Sequence, residues 1–257
     1  MTDIHAIEQV ARGRLSGCGE LHKCQCVVTG ASAGIGQAIA VALAVAGATV
    51  FGVGRGENHL LATAEVIKGP GRITPYPADL SDPAEISLLA ERLSREASSV
   101  DVLVHSAGMY SGGPVETSSA DDFDGQYATN MRAPYLLTQA LLPMLRASRG
   151  QIVFINSTIV FAPSANVGQF AATQHALRAF ADTLREEINA DGIRVASIYP
   201  GRTATPRQAR IHALEGKAYA PERLLQPSDV ADVVLKILTL PRSAEVTDVR
   251  IRPMLKH

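Results

Sequence analysis

The sequence predicts a single doubly wound α/β domain: a seven-stranded parallel sheet with helices on both faces. Three observations carry this. Seven short segments rich in Val and Ile recur from residue 24 to near the end, and most do not alternate apolar with polar residues. Helix-patterned stretches separate them, and strands that are apolar throughout and joined by helices belong to a parallel sheet covered on both sides. A glycine cluster stands between the first strand and the first helix. With 257 residues, 46% of them hydrophobic, the chain can bury one large core, and no repeat, low-complexity tract or linker divides it.

In order, the strands read CQCVVT at 24–29, ATVFGV at 48–53, RITPYPA at 72–78, VDVLVHSA at 100–107, QIVFINS at 151–157, IRVASIYP at 193–200 and VTDVRIRP at 246–253. The helices read GIGQAIAVALAVAG, NHLLATAEVI, AEISLLAERLSREAS, a long one through YLLTQALLPMLRAS, FAATQHALRAFADTLREEI and SDVADVVLKILTL. The domain is therefore expected over 22–257. Residues 1–21 fall outside the alternation. Ile4, Ile7 and Leu15 suit a short amphipathic helix that Gly13, Gly17 and Gly19 weaken, so a docking helix and a frayed tail both stay open.

Composition narrows the partners. A formal net charge of -1, with Lys and Arg scattered among acids, provides no basic field for nucleic acid. No apolar run reaches the ~18 residues a membrane span requires, and MTDIHAIEQVARGRL lacks the apolar core of a signal peptide. The cytoplasm is the expected location. Cys18, Cys24 and Cys26 are an odd number without a second ligand cluster, so no metal site is expected.

The first chemical signal is TGASAGIG, Thr29 to Gly36. Glycines serve where a chain turns with positive φ or where a side chain would push a diphosphate away from a helix N-terminus. Gly30, Gly34 and Gly36 meet that need, with a strand before them and a helix after, which is the context a dinucleotide site requires.

The spacing is TGxxxGIG rather than GxGxxG, and it resembles the short-chain dehydrogenase/reductase family, whose Rossmann-type domain would cover about residues 24–253. Further blocks fall in register: Asp79 and Leu80, HSAG at 105–108, IVFINS at 152–157 and YPGRTAT at 199–205. HSAG stands where the family usually has NNAG. The resemblance implies cofactor contacts at Gly30, Ser32, Gly34, Ile35, Gly36, Asp79, Leu80, Ala107, Gly108, Pro200, Gly201 and Thr205, and makes Asn130 the family's active-site Asn.

After the second strand the sequence reads GVGRGEN. An acid there would bind the ribose hydroxyls and repel a 2'-phosphate; Gly54 takes its place and Arg55 stands next to it. A guanidinium offers phosphate a fork of donors, so NADP(H) is expected over NAD(H).

In the family, a Ser, a Tyr thirteen residues on and a Lys four beyond that work together. The Tyr exchanges the substrate proton, and the Lys binds ribose and lowers the Tyr pKa. Counting from Ser157 leads to Phe170 and Gln174. The phenol and the ammonium are both replaced, while Gln174 can still hydrogen-bond ribose hydroxyls. Tyr110 and Tyr199 are the alternative proton donors; His175 is expected to face away from the site and His105 to serve loop structure.

Three readings compete. The preferred one is an NADPH-dependent reductase of a small apolar substrate that needs no enzymic acid: an iminium, a conjugated C=C, or a ketone held beside its own acidic group. The alternatives are a non-redox enzyme such as a cyclase, dehydratase or isomerase, and an inactive NADP(H)-binding protein. The segment 205–225 is expected to cover the pocket, with Arg202, Arg207 and Arg210 facing either an anion or water. Apolar stripes on helices near 120–147 and 165–190 resemble those through which relatives form homodimers or homotetramers.

Overall fold

A computed structural model describes residues 21–255; the expected N-terminal extension and Cys18 lie outside the described residues, apart from Leu21, which is buried. Seven parallel strands form one sheet in the order β3-β2-β1-β4-β5-β6-β7. They are β1 (Gln25–Thr29), β2 (Thr49–Gly54), β3 (Arg72–Pro77), β4 (Val102–His105), β5 (Gln151–Ile155), β6 (Arg194–Pro200) and β7 (Asp248–Ile251). The expected architecture is present. Apart from β2, which keeps six residues but shifts by one to Thr49–Gly54, the strands are shorter than the apolar runs that announced them, because residues at their ends turn into loops.

The helices are α1 (Gly34–Val45), α2 (Glu57–Glu65), α3 (Pro83–Glu96), α4 (Ala120–Tyr127), α5 (Ala133–Ser148), α6 (Gly168–Ile188), α7 (Pro206–Leu214) and α8 (Pro227–Leu238). Their apolar stripes sort them to the two faces. Ile39, Leu43, Leu60, Val230 and Val234 bring α1, α2 and α8 onto one side. Ile86, Leu89, Leu137, Leu141, Leu177 and Leu184 bring α3, α5 and α6 onto the other. Starts are set locally. Asp82 accepts from the Ala84 N–H at 2.8 Å ahead of Pro83, and Gln226 with Asp229 forms a capping box for α8.

Two features of this frame position the site. Neighbours of β1 run in opposite sequence directions, β2 on one side and β4 on the other, which opens a crevice at the carboxyl ends of β1 and β4. Between α4 and α5 the chain widens to a π turn, Ala128–Arg132, which carries Asn130. None of the described helices is long and apolar enough to cross a membrane.

Candidate active site

The glycine loop leaves β1 and enters α1. Gly30 has φ +74°, and a methyl group there would lie 2.9 Å from backbone atoms of Ser106 and Ala107; one on Gly36 would collide with the Gly30 carbonyl. No side chain caps α1 and no acid stands in its first turn, so its leading N–H groups are open to an anion. Ile35 packs its half-buried side chain against the core. Thr29 Oγ1 accepts from the N–H groups of Ser106 (3.0 Å) and Ala107 (3.1 Å) and donates to the Val104 carbonyl (3.3 Å), tying the loop to the end of β4.

A second corner forms beyond β2. A methyl group on Gly54 would meet Ser32 Oγ at 3.2 Å, so the place an acid would fill faces the Ser32 hydroxyl. Arg55 next to it is exposed. The hydroxyl and N–H of Ser81 hold the Asp79 carboxyl below its ordinary pKa, and the Arg55 charge adds to this, which places Arg55 and Asp79 in each other's field. Leu80 is buried behind them. These donors fit a dinucleotide: diphosphate at α1, and one further phosphate within reach of Ser32 and Arg55.

The other end of the crevice gathers the expected reaction residues. Asn130 is 2% exposed. Its Oδ1 accepts from the Met109 N–H (2.7 Å), and its Nδ2 donates to the Met109 carbonyl (2.9 Å) and to Thr173 Oγ1 (3.0 Å). Thr173 in turn donates to the Phe170 carbonyl at 2.8 Å. Held by this clamp, Tyr110 presents its ring to Phe170. Ser157, two residues beyond β5, caps the 3-10 turn at Thr158–Val160, with Oγ accepting from the Ile159 N–H at 3.2 Å. Asn156 accepts from the Ser157 N–H at 2.7 Å and donates to the Gln174 carbonyl at 3.1 Å, which links the Ser157 turn to α6. Gln174 is buried, and its side-chain amide has no hydrogen-bond partner among the described residues, yet its polar atoms are not sealed from solvent. Burial raises the Tyr110 pKa, and Glu215 adds to this while Arg202 opposes it.

Not every candidate joins this group. The Tyr199 ring is fully buried; its hydroxyl donates to Asp248 at 2.7 Å on β7, and its face packs against Phe161. A strand residue so engaged offers no proton to the crevice, a correction to the expected alternative donor. His175 is exposed, with Nδ1 against the Ala171 carbonyl, and points away. His105 is enclosed between Phe154 and Thr138; burial lowers its pKa to about 3, so the ring is neutral.

The YPGRTAT block is pinned by the Gly201 N–H donating to the Ile251 carbonyl (2.8 Å) and by Thr158 Oγ1 donating to the Pro200 carbonyl (3.4 Å). The segment C-terminal to this block is ordered as a flap rather than a plain loop: α7, then a 3-10 turn at Pro221–Arg223, with Leu225 paired back to Arg202 and Ala204. Thr205 caps α7 by accepting from the Gln208 N–H (3.1 Å), and its methyl lies 3.0 Å from where a side chain on Gly34 would begin. The Thr-Pro start was a legible helix signal that sequence reasoning passed over. The flap therefore rests on the glycine loop at Gly34, where α1 begins.

Its three arginines differ. Arg202 is paired, with Nη2 at 2.9 Å from both Glu215 oxygens. Arg210 is exposed. Arg207 reaches across the crevice and donates to the Gly108 carbonyl. Thr29, Met109, Asn156 and Thr173 are site residues that sequence reasoning did not name; Thr29 and Asn156 stood inside recognised blocks, whereas the backbone role of Met109 left no sequence signal.

A family model of short chain dehydrogenases matches residues 25–215. The strand order is that of the doubly wound, dinucleotide-binding class of fold, and this chain belongs to the short-chain dehydrogenase family. It is similar to an uncharacterized oxidoreductase of Staphylococcus epidermidis, 31% identical over 229 residues that cover 89% of this chain and 96% of the relative. An uncharacterized short-chain type dehydrogenase/reductase of Sinorhizobium fredii is 33% identical over 234 residues, covering 88% and 90%. Among solved structures, a metagenomic short-chain oxidoreductase in complex with NADP superposes with TM-score 0.79 at 31% identity, covering 92% of this chain and 99% of that one. An alcohol dehydrogenase from the archaeon Thermococcus sibiricus, complexed with 5-hydroxy-NADP, gives TM-score 0.82 at 25% identity, with the same coverage.

Proposed function

We propose that this protein is an NADPH-dependent reductase of a small, largely apolar organic substrate, in which Phe170 and Gln174 stand where relatives carry the working Tyr and Lys. NADPH, when bound, supplies the hydride. What supports the reading is a glycine loop at the uncapped N-terminus of α1 with Ser32 facing Gly54, together with a Phe170 ring beside Tyr110 and the Asn130 and Asn156 bonds that tie Met109 and Ser157 to α6. The solved relatives in complex with NADP support the choice of cofactor.

The residues then have separate tasks. Ser32 and Arg55 hold the adenosine phosphate, and the α1 N-terminus the diphosphate. Gln174 turns its amide to the nicotinamide ribose as a neutral donor and acceptor. Asn130 fixes the Met109–Tyr110 segment, so that Tyr110 and Phe170 form an aromatic wall and exclude water from the reacting face. Ser157 offers a hydroxyl to the substrate. With no tuned phenol at 170, ordinary ketones forgo the about 10²- to 10⁴-fold contribution of a positioned acid. An iminium carbon, already charged, needs none.

The test is NADPH oxidation with a cyclic imine and with acetophenone, in the wild type and in the double variant Phe170→Tyr with Gln174→Lys. The reading expects imine turnover in the wild type and a gain of ketone reduction in the double variant. Tight NADPH binding with no turnover of either substrate, and no gain on reinstating both groups, would overturn it in favour of non-redox chemistry or binding alone.

A further inference from the structure

The flap holds a cation for which the described residues supply no counter-charge. Arg207, two residues past Thr205, donates a hydrogen bond to the Gly108 carbonyl, and both of its terminal nitrogens lie within 3.7 Å of the point where a side chain on Gly108 would begin; Asn130 Oδ1 is 3.3 Å from that same point. The guanidinium thus stands beside Gly108 and the Asn130 clamp that orders Tyr110. It has no carboxylate partner among the described residues: Glu215, the acid of the flap, is taken by Arg202 and Lys217. The residue as a whole is solvent-accessible, while the protein around its head desolvates the guanidinium and lowers its pKa, and the Arg210 charge adds to this. A planar fork of donors with only a neutral carbonyl to satisfy it suits a carboxylate.

Aromatic side chains stand on both segments that the Arg207–Gly108 bond joins. Tyr110 and Phe170 meet edge to face on one side, and Tyr219 meets His212 on the flap. We propose that Arg207 binds a carboxylate on the substrate, so that the reductase acts on an apolar body carrying a single acidic group rather than on a neutral molecule. This rests on the reductase reading and names its substrate class. The guanidinium exchanges the Gly108 carbonyl for the stronger acceptor, and the apolar body lies against Tyr110 and Phe170.

Benzoylformate and its methyl ester differ in charge but scarcely in shape, and inorganic pyrophosphate reports on the phosphates of the coenzyme. Calorimetric titration of all three is carried out on the full chain, with and without saturating NADP+, for the wild type, Arg207→Gln and Arg207→Lys. The proposal expects the wild type to bind benzoylformate roughly 10- to 100-fold more tightly than the ester, the range a charge-assisted hydrogen bond gives. Arg207→Gln should erase that preference while leaving NADP+ affinity within about threefold, and Arg207→Lys, keeping charge without the fork, should recover part of it. A preference unchanged in Arg207→Gln overturns the proposal. So does an equal loss of pyrophosphate and NADP+ binding in that variant, which would assign the guanidinium to the coenzyme. Since these are binding measurements, a carboxylate preference without turnover of any substrate would leave Arg207 as an anion receptor and reject the reductase reading alone.

Discussion

The rings of Tyr110 and Phe170 meet edge to face, with centroids 5.2 Å apart and planes inclined by 68°. This relation puts the Tyr110 phenol, carried on a loop, beside the Phe170 ring on α6. Burial and Glu215 hold that phenol in its neutral form. As a wall residue, Tyr110 contributes binding: Tyr110→Phe should raise KM a few-fold with kcat for an imine lowered by less than about threefold. A fall in kcat of the order of a hundredfold, the worth of a general acid, would make Tyr110 the proton donor instead.

Arg55 and Ser32 frame the corner beside Gly54. Arg55→Gln removes the charge and keeps the length, so NADPH affinity should drop about 10- to 100-fold, as for one charge-assisted hydrogen bond, with NADH affinity unaltered. Titration calorimetry with both coenzymes checks this. An equal change for the two would remove Arg55 from phosphate recognition.

Asn130 satisfies both the N–H and the carbonyl of Met109 from a buried position. Truncation to Ala leaves these groups and Thr173 without a side-chain partner, at a cost of about 2–3 kcal/mol in urea unfolding. Asn130→Asp keeps the acceptor for the Met109 N–H and loses both donors, so it should destabilise as well and loosen the Tyr110 segment. An unaltered midpoint in both variants would show that the clamp is dispensable.

His105 gives a pH dependence whose sign comes from burial. Its folded pKa is about 3, against an ordinary value of 6.5. Below 6.5 the unfolded chain takes up a proton that the folded chain refuses, so stability present above that pH is lost as pH falls toward 3. The slope from this residue approaches about 1.4 kcal/mol per pH unit. His105→Asn should flatten the stability profile between about pH 6 and 4.5 by up to that slope, although it lowers stability at neutral pH by losing the stack on Phe154. Parallel profiles for the two proteins would mean that the ring is protonated in the fold.

Phe123, Tyr127 and Tyr135 leave large apolar surfaces exposed along α4 and α5, and Tyr135 leans on Phe180 of α6. Such a patch suits self-association across these helices. Light scattering should find a dimer or tetramer, and Tyr127→Glu with Tyr135→Glu should shift it toward monomer. A wild-type monomer at micromolar concentration would reject this assembly.

How much was legible depended on the range of the interaction. Glycine spacing, strand patterning and the count from Ser157 to Phe170 and Gln174 are local, and each carries its own steric or hydrogen-bonding meaning along the chain. Tyr199 misled because a Tyr next to a Pro-Gly turn looks free; Asp248, 49 residues away, claims its hydroxyl once β7 pairs with β6. The flap arginines were indistinguishable as letters. Which of them meets Glu215 depends on how the segment 202–225 folds back on itself through Leu225.

By itself the sequence determined the α/β class, the glycine loop between β1 and α1, and the presence on α6 of Phe170 and Gln174 at a fixed count from Ser157, since these arise from periodicity, positive φ and residue identity at fixed spacing. Only the tertiary structure decided that Asn130 clamps Met109, that Tyr110 faces Phe170 and that Arg207 crosses to Gly108. Those contacts join segments 21 to 99 residues apart, and it is the strand order around β1 and β4, not any neighbour in the chain, that brings them within bonding distance.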